Sequence, residues 1–124
     1  MEAWNTENWW VSQYNYLKEF RDGLELPEKV IIHDATLRDG EQTPGIVFTV
    51  DEKVAIAKKL DELGVERIEA GMPAVSEQDM IAIKKITALG LNAKIFTFAR
   101  AMKEDIDMAR ECKADGVIIE IPNG

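Results

Sequence analysis

From Val30 onward, short apolar runs alternate with stretches whose apolar residues recur every three or four positions, the pattern of strands alternating with amphipathic helices. Val30-Ile31-Ile32 predicts a first strand, followed by a long loop over about 36–48. Thr49-Val50-Asp51-Glu52 has the form of a capping box, and Val50, Val54, Ala57, Leu60 and Leu63 give the next helix an apolar face that stops at Gly64. A second unit repeats the plan: a strand over about 65–70, a loop through Gly71-Met72-Pro73, Ser76 as N-cap, and a helix carrying Met80, Ile83 and Ile86 to Gly90. The third predicts a strand over 93–98, a helix from about Met102 through Cys112, and Gly116 as its stop. Val117-Ile118-Ile119-Glu120-Ile121 is a fourth strand.

These strands begin about 35, 28 and 24 residues apart, distances that suit parallel crossovers containing one helix each. Right-handed crossovers leave two architectures, an open doubly wound sheet or consecutive staves of a (β/α) barrel, and periodicity does not choose between them. Residues 1–29 differ in kind. Six of the nine aromatic residues (Trp4, Trp9, Trp10, Tyr14, Tyr16 and Phe20) fall within the first 20 positions, so this arm is expected either to pack on its own domain or to dock a second subunit.

Composition narrows the classes. The chain has 124 residues, 46% hydrophobic and 31% charged, the make-up of a globular domain with material for a core. No apolar stretch approaches the roughly 18 residues that span a bilayer, and the first residues lack the order of a secretory signal, so a cytoplasmic location is expected. A net charge of -8 disfavours nucleic acid. The single cysteine, Cys112, lies at helical spacing from Ile106 and Ala109 and reads as a core thiol.

The stretch with chemical content is His33-Asp34-Ala35-Thr36-Leu37-Arg38-Asp39-Gly40-Glu41-Gln42, placed where the first strand gives way to its loop. In parallel α/β folds such strand ends line the active site. Asp39 is a hard oxygen donor suited to a divalent cation, and Arg38 offers a fork of donors for a carboxylate or an oxyanion. Gly40 is expected to let the backbone turn tightly between them. A surface ion pair or a capped turn explains the same residues, and spacing alone leaves both open.

The run from Asp34 to Gly45 (Asp-Ala-Thr-Leu-Arg-Asp-Gly-Glu-Gln-Thr-Pro-Gly) resembles the opening signature of the DRE-TIM metallolyase superfamily. That superfamily includes isopropylmalate, homocitrate and citramalate synthases and hydroxymethylglutaryl-CoA lyase, which share a pyruvate carboxyltransferase-type domain. Ile68-Glu69-Ala70-Gly71-Met72-Pro73-Ala74 is similar to the second-strand motif of its synthase branch. The resemblance covers residues 30–124 and implies the N-terminal half of a TIM barrel, with four strands after the aromatic arm. It further implies an acyltransferase that condenses acetyl-CoA with a 2-oxo acid in amino-acid biosynthesis, using a divalent metal ion (Zn, Mn or Mg). On this resemblance Arg38 and Glu69 are catalytic, Arg38, Gln42 and Arg100 bind substrate, and Asp39 binds the metal. The full-length enzyme is implied to be a homodimer.

The family completes its metal site with a His-X-His pair on a late strand, whereas no histidine follows His33 here, which itself reads as a hydrogen-bonded strand residue. With a full barrel needing roughly 250 residues, the chain reads as a truncated portion, inactive alone. An acyl-CoA lyase is the alternative within enzymes. A noncatalytic half-barrel assembly module is the alternative outside them.

Overall fold

A computed structural model describes residues 5–122, so Trp4 of the aromatic arm and the terminal Asn123 and Gly124 lie outside the described residues. The chain divides into two compact units, Met1–Val30 and Ile31–Gly124. In the first, Ser12 caps a 3-10 turn, Gln13–Tyr16, with its side chain accepting from the Tyr14 amide, and a single helical turn follows, α1 (Lys18–Arg21). Tyr14 meets Phe20 edge-on with ring centroids 5.6 Å apart. None of the described residues of this unit is buried.

The second unit is a sheet of four parallel strands, β1 (His33–Asp34), β2 (Arg67–Glu69), β3 (Lys94–Arg100) and β4 (Gly116–Glu120), in the spatial order β1-β2-β3-β4. Each later crossover carries one helix: α2 (Val50–Leu63), α3 (Glu77–Thr87) and α4 (Lys103–Glu111). Neighbours that follow chain order, with no reversal, are consecutive barrel staves; a doubly wound sheet reverses direction at a switch point. The architecture is that of the N-terminal half of a TIM barrel. No helix among the described residues is long and apolar enough to cross a membrane.

Local chemistry sets the helix starts. Thr49 and Glu52 form the reciprocal capping box, the Thr49 amide donating to Glu52 at 2.7 Å and the Glu52 amide to Thr49 at 3.3 Å. The Thr49 amide and hydroxyl, both donating to the Glu52 carboxylate, hold it below its ordinary range. Ser76 caps α3 by accepting from the Asp79 amide. At α4 the cap residue Met102 has no side-chain acceptor, and Asp105, in the first turn, reaches back to the Arg100 amide at 3.1 Å and to its guanidinium at 2.8 and 2.9 Å.

Alternation along the strands separates two faces. Ile68 and Ile95, at most 3% exposed, point toward the helices and join Ile83, Ile86 and Cys112 in the core, and Ala99 is fully buried further along β3. Burial pushes the Cys112 thiol up, as befits a core residue. Register places His33 beside Arg67, and Glu69 beside Phe96, on the opposite face, with Phe98 and Arg100 further along β3. That face is the interior of a closed barrel.

Five local expectations are corrected. The first strand lies at His33–Asp34 instead of Val30–Ile32, whose residues are exposed. Among the described residues β1 pairs on one side only, with a three-residue β2, and ladder contact reaches back just to the Ile32 carbonyl, which accepts from Arg67. Leu63 is 78% exposed at the end of α2. α3 ends at Thr87, three residues short of Gly90, and β3 continues through Arg100. Gly116 opens β4 and does not terminate α4; Lys113 takes the left-handed conformation there, with φ 56°. Glycine is required at 116 for space, since a Cβ would fall 2.3 Å from the Phe96 ring.

The Arg100 guanidinium beside Asp105 holds that carboxyl below its ordinary value of 3.8. The pair therefore stabilises the fold above that value and stops doing so as pH falls through the lower, folded-state pKa. Asp105→Asn is expected to lower the melting temperature near neutral pH, and the gap to the parent chain should narrow as thermal melts are taken to pH values below 3.8, toward the lower folded-state pKa. A gap independent of pH contradicts the assignment.

Candidate active site

The loop after β1 is shaped by its own side chains. Asp34 accepts from the Thr36 amide and hydroxyl at 3.0 and 3.1 Å, and the Ala35 carbonyl receives the amides of Arg38, Asp39 and Gly40 at 2.8–3.1 Å. Leu37, fully buried, pins the turn into the core. Gly40, expected to be required for the tight turn, has no positive φ, and a Cβ there would meet only ordinary contacts from 3.6 Å. The closure comes from the shared Ala35 carbonyl, which any residue with a backbone N–H at 40 permits.

This turn delivers Arg38 to the barrel-interior face. Arg38 Nε donates to Glu69 Oε1 at 2.5 Å, and Nη1 donates to Asp39 Oδ1 at 3.3 Å. The guanidinium lies 4.5 Å from the centre of the Phe98 ring, a cation–π contact. His33 Nε2 stands 3.3 Å from the other oxygen, Glu69 Oε2, its ring edge-on to Phe96 with centroids 5.4 Å apart. Glu69 is thus a carboxylate only 2% exposed, held from two sides. Buried and paired so closely, it fixes the direction in which Arg38 presents its remaining N–H groups.

The other expected residues lie around this pair. Asp39 is open to solvent, with its side chain 69% exposed. Gln42 shares a cavity of about 280 Å³ with Arg38, walled by Leu37, Ile46 and Met72. Arg100 stands apart: it ends β3, its guanidinium is engaged by Asp105, and it does not line that cavity. Among the described residues no three His, Cys, Asp or Glu side chains converge as a metal site. Asp39 fits as one oxygen ligand of such a site, and the set that would complete it is absent from the described residues.

Three features were not anticipated. His33 is the partner of Glu69. Phe96 and Phe98 supply rings against which His33 and Arg38 rest. Lys53 of α2 is 3% exposed and ion-paired with both Glu41 of the loop and Asp79 of α3. A signal existed for the last: Lys53 falls three residues after Val50 and four before Ala57, inside the apolar stripe where a lysine needs a partner.

Glu69→Gln is expected to lower the stability of the chain by about 3 kcal/mol, because one partner of a buried pair is lost while Arg38 stays in place. Asp39→Asn, at an exposed position, should stay within about 0.5 kcal/mol of the parent. Urea unfolding followed by circular dichroism measures both, and equal effects would refute the buried character of the Arg38–Glu69 pair.

With this geometry in view, comparison with known proteins is informative. The chain is 51% identical over 106 residues to a homocitrate synthase, AksA, of Methanopyrus kandleri. It is 52% identical over 101 residues to a 2-isopropylmalate synthase, and 55% identical over 93 residues to an (R)-citramalate synthase, CimA, both of Methanocaldococcus jannaschii. The aligned regions take up 86%, 82% and 75% of this chain but only 27%, 20% and 19% of those relatives. The chain therefore spans about a quarter or less of the length of the proteins it matches. A family model described as HMGL-like matches residues 29–123. All the strands of the sheet, and the loop bearing Arg38 and Asp39, lie within that match, and the chain belongs to the HMGL-like family.

Proposed function

We propose that this chain supplies the first four staves and the Arg38–Glu69 pair of an acyltransferase that condenses acetyl-CoA with a 2-oxo acid in amino-acid biosynthesis. The observation that carries the reading is the buried Glu69 fixing Arg38 at the mouth of strands β1–β3. The names of the relatives, all synthases, and the Ile68–Ala74 motif favour condensation over the lyase reaction.

Condensation attaches the methyl carbon of acetyl-CoA, as its enolate, to the ketone carbon of the 2-oxo acid, and negative charge collects on the ketone oxygen. A guanidinium already aimed by Glu69 and Phe98 needs little reorganisation to stabilise that charge. Glu69 acts by holding Arg38 in one orientation. Gln42, on the wall of the cavity beside Arg38, can donate its amide to the carboxylate of the oxo acid. Arg100 offers a further carboxylate contact through the guanidinium edge not taken by Asp105. Asp39 would contribute one ligand to a divalent metal ion, which when bound polarises the ketone as a Lewis acid. The reading carries with it a cytoplasmic, homodimeric full-length enzyme.

Titration of the 124-residue chain with pyruvate, 2-oxoisovalerate or 2-oxoglutarate, followed by ¹H–¹⁵N NMR, tests the binding half of this reading. At least one is expected to shift the Arg38 Nε–H and the Gln42 side-chain amide with a Kd of about 1–10 mM, weak because the chain brings one candidate metal ligand. Arg38→Met should abolish the response. No shift at either group up to about ten times that concentration, for all three acids, refutes it.

A further inference from the structure

Besides the Ala35 carbonyl and the Arg38–Glu69 pair, the loop that bears Arg38 is fixed at two further points. One is Leu37, sunk in the core immediately before it. The other is Glu41, whose side chain turns inward in the 3-10 turn Gly40–Gln42. Glu41 Oε2 accepts from Lys53 Nζ at 2.5 Å, and Glu41 Oε1 accepts from the Phe48 amide at 3.0 Å. Arg38, Asp39 and Gly40 are suspended between these anchors, and Gln42 follows the second directly. Lys53 also donates to Asp79, whose other oxygen accepts from the Ser76 hydroxyl at 2.6 Å. One ammonium therefore ties the loop, α2 and the first turn of α3 together.

Charge makes this more than a pin between helices. One carboxylate neutralises a buried lysine, and Asp79 supplies it from the neighbouring helix. The second, Glu41, comes from the site loop itself, and both carboxylates line the cavity shared by Arg38 and Gln42. Burial pulls the Lys53 pKa down, but the hydrogen bonds and charges of Asp79 and Glu41 more than offset it and hold it above its ordinary value. The ammonium stays charged throughout the range in which the loop must be ordered. Without that charge, two partly buried carboxylates face each other with no counter-charge between them, and the more exposed one, Glu41, is the one that turns outward.

We propose that Lys53 is a positioning residue for the candidate active site, setting the placement of Arg38, Asp39 and Gln42 through Glu41. The consequence for catalysis rests on the function proposed above, but the loop-anchoring step does not. Amide hydrogen exchange on the 124-residue chain tests it without any ligand. In Lys53→Met the amides of Gln42, Thr43 and Phe48 are expected to exchange about tenfold or more faster, the loss of a charged hydrogen-bond anchor. The sheet amides of Ala70 and Phe98, which donate to Phe96 and Gly71, should keep their protection relative to the global limit. Lys53→Arg should restore the loop. Asp79→Asn, which leaves Lys53 on Glu41, should keep the loop protected, and Glu41→Gln should reproduce the loosening at smaller amplitude if Lys53→Met fails to fold. A uniform rise in exchange across loop and sheet, or an unchanged loop, overturns the proposal and leaves Lys53 a helix pin. If the exchange pattern holds while no 2-oxo acid binds, the anchoring stands and the functional reading falls.

Discussion

A carboxylate removed from water has to be paired, and Glu69 is where that requirement organises this molecule. Its exposure is 2%, and its two oxygens face Arg38 and His33, one from the loop after β1 and one from β1 itself. The penalty for an unpaired buried charge amounts to several kcal/mol. Three pieces of chain therefore have to arrive together: β2 to carry Glu69, β1 in register to carry His33, and the loop folded tightly enough to return Arg38. The alignment of His33 with Arg67 meets the second demand, and the three amides gathered on the Ala35 carbonyl meet the third.

The strands divide their labour by alternation. Ile68 and Ile95 build the core against the helices, while Glu69, Phe96, Phe98 and Arg100 stand on the other face. Rings as well as charges are spent on that second face, Phe96 against His33 and Phe98 under Arg38. A guanidinium seated on an aromatic face and held by a buried carboxylate loses little freedom on meeting an anion, which suits a transition state that gathers negative charge. Behind it, the Lys53 ammonium keeps the loop in place from the helix layer, so the site is braced from both sides of the sheet.

Much of this was legible in the chain. The capping box at Thr49–Glu52, the Ser76 cap, the helix faces apart from Leu63, and the parallel strands apart from the place of the first follow from local chemistry and periodicity, and the structure has them. The signature from Asp34 to Gly45 identified the loop, and its resemblance supplied the barrel that periodicity left open. What local pattern does not contain is pairing across long separations. Val30-Ile31-Ile32 is more apolar than His33-Asp34, yet the short β2 sets where the ladder forms. The need for glycine at 116 is created by the Phe96 ring twenty residues away. Lys53 with Asp79, and His33 with Glu69, are likewise contacts between elements that only the assembled sheet and helices bring together. Arg100 was singled out through the resemblance alone, and its pairing with Asp105 is a contact formed by the turn from β3 into α4.

The central claim is that Arg38 is held in one orientation by buried Glu69 before any substrate arrives. The Nε–H signal of Arg38 in a ¹H–¹⁵N spectrum of the ligand-free chain, identified by its disappearance in Arg38→Lys, tests this most directly. A distinct, downfield signal that exchanges slowly with water at neutral pH is the predicted result. An Arg38 Nε–H that exchanges as fast as those of the solvent-exposed arginines would contradict it.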